Sequence, residues 1–208
     1  MKQSSGQTAS SDAAPQSLLA RAVTSGTIGG LAAAAAASLA GKREDGSYAA
    51  PLNATSHIIW GDDAARQDQP SLKYTLTGFL LNHASAIFWA LFYEKLLGKG
   101  EKRQSWHHPK NWNEGARPQQ ATPARTEAAI LKPILDSAAV TAGAYLIDYH
   151  LIPQRFTPGF EKRLSGKSLA AVFVALAAGL AARDMMQAAK ARRNPAAGPD
   201  AGRRTGAE

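Results

Sequence analysis

The run 74-YTLTGFLLNHASAIFWALFY-93 contains no Asp, Glu, Lys or Arg in twenty residues, and its reading decides the fold class. At about 1.5 Å of rise per residue, a helix of that length covers roughly 30 Å, the thickness of a bilayer's hydrocarbon core. Lys73 precedes the run, and Tyr93, Glu94 and Lys95 close it as interfacial anchors would. Asn82, Ser85, Ala86, Trp89 and Tyr93 fall on one helical stripe, the predicted inward face. Asn82 and His83 lie near its middle, where a polar pair costs free energy unless it bonds to another helix or lines a wet cavity. The first expectation for this pair is a buried interhelical hydrogen bond. The second is a substrate, proton or cofactor pathway, and His150 lies too far toward the membrane edge to be the natural partner of His83 in binding a haem.

Working outward, three further runs complete a predicted all-α bundle of four transmembrane helices with disordered termini. The spans are about 18–40, 74–95, 130–152 and 168–186, within a membrane domain at 17–186. Residues 22–40 are uncharged but rich in Ala and Gly, which contribute little transfer free energy, so packing must hold this helix. Gly26, Gly30, Ala34 and Ser38 recur every four residues, a spacing that lets helix backbones approach closely. The third run carries Lys132 and Asp136 at one end, Asp148 and His150 at the other, and Pro133 near its predicted start. In the fourth, Leu169, Val172, Phe173, Leu176 and Leu180 form one stripe and Ala171, Ala175, Ala178 and Ala182 another. That pattern predicts bulky residues toward lipid and small ones toward neighbouring helices.

Residues 1–16 and 187–208 are small, polar, charged or Pro- and Gly-containing, and are expected to be disordered because they cannot bury enough apolar surface to offset ordering entropy. They and the loops account for a mean hydropathy of −0.25 despite the long uncharged runs. There is no cysteine, which excludes disulfides and thiolate metal sites. The net charge of +8 raises nucleic acid as a partner, but the basic residues lie in tails and loops rather than on one folded face. No nucleic-acid partner is therefore expected. Sixteen of the 24 Lys and Arg residues fall in the N-terminal segment, the polar loop at 98–126 with its flanks, and the C-terminal tail. By the positive-inside rule these are cytoplasmic, and the bacterial inner membrane is the predicted location. Two alternatives compete with this reading. The first span could be a signal peptide ending at Ser38-Leu39-Ala40, and the chain could be a soluble Ala-rich helical protein.

The predicted topology puts 41–73 and 148–167 on the same outer side. His57, Asp62 and Asp63 from the first segment and Asp148 and His150 from the second form a candidate divalent-metal patch, or an acid–base set. No metalloprotease, nucleophile-elbow or phosphate-loop signature accompanies them, so no cofactor is implied by motif. A structural account of 148-DYHLIPQRFTPGF-160 is preferred to a chemical site. Pro153 stops the helix, Pro158-Gly159 makes a turn that needs positive φ at the glycine, and Arg155 can pair with Glu161. Tyr145, Tyr149, Phe156 and Phe160 are expected in an aromatic belt. Asn53 in "NAT" matches a glycosylation acceptor, a match that arises often by chance. In "SWHHPKNW", His107 and His108 lie between Trp106 and Trp112 in a loop whose composition supports no packed site.

In organisation, residues 18–186 resemble small bacterial inner-membrane proteins with four helices and short polar termini. "SHIIWGDDA" and "DYHLIPQRFTPGFE" are the distinctive parts, and neither carries a known activity with it. The expected role is structural or accessory and non-enzymatic, with the bilayer, a second copy or another membrane protein as partners. Metal or small-solute handling is the alternative. A membrane-bound hydrolase comes third.

Overall fold

The computed structural model describes residues 17–105 and 123–193, with side chains over 17–96 and 130–190. Among these residues the fold is all-helical and without strands. Four helices are long and apolar enough to cross a membrane: Leu18–Asp45, Leu72–Leu96, Ile130–Leu151 and Gly166–Lys190.

Helix α1 (Leu18–Asp45) starts where the Ser17 hydroxyl accepts the Ala20 N–H and ends at Gly46, a left-handed residue at φ 74°. The positive φ there is available to glycine without a Cβ clash. Two short helices follow, α2 (Ala50–Thr55) and α3 (His57–Trp60), then a 3₁₀ turn at Asp62–Arg66. Ser71 opens a π turn at Leu72–Leu76 that runs into α4 (Thr77–Ser105). Helix α5 (Pro123–Leu146) continues through a second π turn, Ile147–Leu151, and is followed by 3₁₀ turns at Gln154–Phe156 and Phe160–Lys162. Helix α6 (Gly166–Arg193) closes the order. Glu44 accepts from the Ser165 N–H and Oγ, both at 2.7 Å, and from Ser168 Oγ. This places a carboxylate at the positive end of the α6 dipole and fastens the end of α1 to the start of α6.

Helix α1 is sandwiched between α4 and α6, and α5 packs on α6 while meeting α4 more loosely. The predicted small-residue register is used: Gly26 abuts Ile87, and Gly30 abuts Ala86 and His83 of α4. A second small face, built on Gly29, meets α6 at Leu176, Leu180 and Gly179. This corrects the predicted orientation of α6. Leu169, Val172, Leu176 and Leu180 are buried, because the Gly and Ala face of α1 leaves the space that bulky side chains must fill. The outer surface carries Leu31, Leu39, Leu80, Phe88, Leu135 and Val174 instead. Such a surface suits hydrocarbon and would be an association hazard in water.

Other boundaries also differ from expectation. Pro133 lies inside α5 rather than at its start, because the helix begins ten residues earlier, at Pro123. The expected polar loop at 98–126 is shortened by both flanking helices, and α6 runs past 187 to Arg193. Residues 1–16, 106–122 with their His107–His108 pair, and 194–208 lie outside the described residues.

At one end of the bundle, residues 46–71 and 152–165 form a cap over the helices. All of α2 is buried. It sits so low on α4 that a Cβ at Gly78 would come 1.7 Å from the Leu52 carbonyl oxygen. Arg163 ties the cap together, reaching Asp45 at 2.7 Å, the Ala65 carbonyl at 3.1 Å, and Asp68.

Candidate functional site

Within the cap the buried polar groups are engaged in structure. Asn53 donates to the carbonyls of Gln67 (2.8 Å) and Gln69 (3.0 Å), and its Oδ1 accepts from Thr75 at 2.6 Å. It is fully buried, so its match to a glycosylation acceptor marks a loop clamp and not an exposed asparagine. Asn53→Ala would strand two carbonyls and a hydroxyl, and a loss of about 1–3 kcal/mol is expected in detergent unfolding. Retention of wild-type stability would count against the clamp.

His57 is 3 % exposed. Its Nδ1 faces the Ala54 carbonyl at 2.8 Å and its Nε2 the Gln154 carbonyl at 3.3 Å. Gly159 makes this approach possible: a Cβ there would lie 2.6 Å from the Ala54 oxygen, and its φ is 82°. The expected Pro158-Gly159 turn is thus present, and it closes the second segment onto the first. Of the other candidate ligands, Asp62 binds Lys162 and Asp63 binds Arg66, each at 2.9 Å. Asp148 has the Trp89 indole as its side-chain partner, and His150 is exposed beside the Tyr145 ring. The two segments do converge, but these five side chains are spent on separate contacts. No group of three or more His, Asp or Glu placed to hold a metal ion occurs among the described residues. Glu161 accepts from Thr157 at 2.7 Å and Arg155 is exposed. No ion pair joins Arg155 to Glu161 among the described residues.

The hydrogen bond and charge of Lys162 hold the Asp62 carboxyl below its ordinary value. A depressed carboxyl stabilises the fold at pH values above its unfolded pKa, and that contribution disappears as pH falls through the folded value. A carboxyl titration followed by NMR should show the depression in the wild type and its return toward the ordinary value in Lys162→Met.

Deeper in the bundle, the Asn82 amide donates to the Gly30 carbonyl at 3.1 Å, and His83 Nε2 lies 3.3 Å from Thr27 Oγ1. Both contacts run from α4 to α1, as the interhelical hydrogen-bond expectation requires. The glycines that admit α4 to the α1 backbone also expose the carbonyl that Asn82 reaches.

Two features escaped the sequence reading. The first is a cavity of about 700 Å³ walled by α4, the second π turn and α6, and roofed by Phe156, Pro158 and Phe160 of the cap. Its lining is mostly apolar, with Asn82, Ser85 and Asp148 among the polar groups. A second cavity of about 370 Å³ continues down the loose α4–α5 seam, sharing Trp89 and Phe92 and reaching Lys95 and Leu96. The π turn matters here: its wide i→i+5 bond, Ile152 N–H to the Ile147 carbonyl at 3.0 Å, interrupts the helical register where Asp148 faces Trp89. Such turns recur at functional sites.

The second is a charged cluster at the opposite end of the bundle. Glu94, 1 % exposed, accepts from Ser25 at 2.9 Å and pairs with Arg21 Nε at 3.2 Å and Arg183 Nη2 at 3.5 Å. Beside it, the Tyr93 hydroxyl donates to Asp184 at 2.8 Å. The charges at the ends of α1, α4 and α6 therefore neutralise one another inside the bundle. Comparison of the chain with family models, curated proteins and solved structures finds no match.

Proposed function

We propose that this is a multi-pass protein of the bacterial inner membrane, with both termini cytoplasmic. In a non-catalytic accessory role, it would hold one chain-bearing amphipathic molecule in the α4–α5 seam. The four apolar helices support the membrane setting, and the placement of Lys and Arg supports the orientation. The observation that carries the binding role is a pair of cavities that share Trp89 and Phe92, whose volumes fall in the range of small-molecule sites. Their aromatic walls face lipid through the loosest of the bundle's principal seams. Metal handling has less support, since its five candidate side chains are engaged separately.

Native mass spectrometry after detergent exchange tests the reading. The wild type should retain about one amphiphile per chain, as a single site of this kind would. Ser85→Trp, which fills the cavity from α4, should lose it. Leu31→Trp on the outer face of α1 should keep it. A wild type that retains nothing, or a filled cavity that retains as much as the wild type, defeats the proposal.

A further inference from the structure

The seam cavity contains a single ionisable carboxylate, and its surroundings define what would match it. Asp148 is 9 % exposed, lines the cavity, and has only the neutral indole of Trp89 as a side-chain partner. No Lys, Arg or His lines this cavity, and no ion pair reaches Asp148 among the described residues. The charged groups of the cap are already paired elsewhere: Lys162 with Asp62, and Arg163 with Asp45 and Asp68. A buried carboxylate without a countercharge is costly unless a cation or strong donor joins it. Phe88, Trp89, Phe156 and Phe173 line the same cavity, and aromatic ring faces attract a cation and offer nothing to an anion.

We infer that the polar end of the bound molecule is a protonated amine, seated against Asp148 among these rings, with its alkyl chain running down the α4–α5 seam past Trp89 and Phe92. This deepens the proposed function and rests on it. Asp148 meets Trp89 of α4, and from there the chain would run past Phe92 toward Leu96, near the end of α4's apolar run. From Trp89 to Leu96 the α4 wall extends roughly 10 Å at helical rise, enough to hold the first part of an alkyl chain. An anionic headgroup would set like charge against Asp148, and a neutral alcohol would leave the carboxylate without a counterion.

The test uses the full chain in detergent with Trp60→Phe, Trp106→Phe and Trp112→Phe, so that Trp89 alone reports by fluorescence. A long-chain primary alkylamine, the alcohol of equal chain length and the carboxylate of equal length are titrated in turn. The amine should bind about tenfold tighter than the alcohol, the size of one charge-assisted contact, and the carboxylate weakest. Asp148→Asn should bring the amine down to the alcohol's affinity and leave the alcohol unchanged. Equal binding of amine and alcohol to unsubstituted Asp148, or preference for the carboxylate, overturns the inference while leaving the seam as a chain site. That comparison stands even if Asp148→Asn does not fold. An amine preference that survives Asp148→Asn also overturns it. Failure of all three probes to bind overturns the seam reading itself.

Discussion

Gly179→Val is expected to separate α1 from α6 and to lower stability by about 3 kcal/mol or more, at or beyond the upper end for overpacked interiors. A Cβ at Gly179 would meet Gly29 Cα at 2.6 Å, Gly29 N at 2.9 Å and the Ile28 carbonyl oxygen at 3.0 Å. All three are backbone atoms, so no rotamer change can relieve the contact. Moving α6 outward would also withdraw Leu176 and Leu180 from Gly29, the residue that gives them room. Gly143 supplies the control, since a Cβ there meets nothing within 4 Å. Gly143→Ala should be neutral or gain up to about 1 kcal/mol from helix propensity, whereas Gly179→Ala should destabilise. Reversible unfolding in mixed micelles would rank the variants. If the two alanine variants shifted equally and in the same direction, the close crossing of α1 and α6 would be wrong.

The second large effect is expected at Glu94. Replacing it with alanine leaves Arg183 with Asp184 alone, at 3.2 Å, and removes the acceptor for Ser25. Breaking one partner of a buried pair typically costs about 3–5 kcal/mol. Glu94→Gln keeps an oxygen for Ser25 but no charge, and should fall between alanine and wild type. Arg21 is a quarter exposed on its side chain, so water can screen its loss and Arg21→Ala should cost less. The double variant Glu94→Ala, Arg183→Ala should lose less than the sum of the single losses, because neither partner is left charged alone. Additive losses in that cycle would show that the two side chains are not coupled.

The long helices were legible because a run such as 74–93 permits few other structures, and Asn82, Ala86, Trp89 and Tyr93 were placed on one stripe by helical period alone. The α1–α4 contact could be read from Gly26 and Gly30. The α1–α6 contact could not, because in a segment of Ala and Gly every face is small and no stripe stands out. The same ambiguity inverted α6: whether leucines face lipid or core depends on how much space the opposing helix leaves. Glu94 resembled an interfacial anchor because it follows Tyr93 at the end of an apolar run, and only the positions of Arg21 and Arg183 make it an interior group. The two segments that carry the five candidate ligands meet in the cap. Their geometry differs because His57 is taken by two backbone carbonyls, which composition does not reveal. Asp148 belongs to a cavity formed by elements far apart in the chain, so no local spacing could have announced it.

Helix α1 has glycine on two faces and owes its place to α4 and α6, both of which follow it in the chain. In the proposed membrane setting, α1 has a mean hydropathy of 1.4, no lower than the 1.3 of the spans at Leu72–Leu96 and Ile130–Leu151, so it can enter the bilayer before α4 and α6 exist. Its docking, by contrast, must wait until both have been translated. Insertion and folding are then separate events for this segment, and any substitution that slows docking of α6 also lengthens the interval in which α1 is exposed to the cell's quality control.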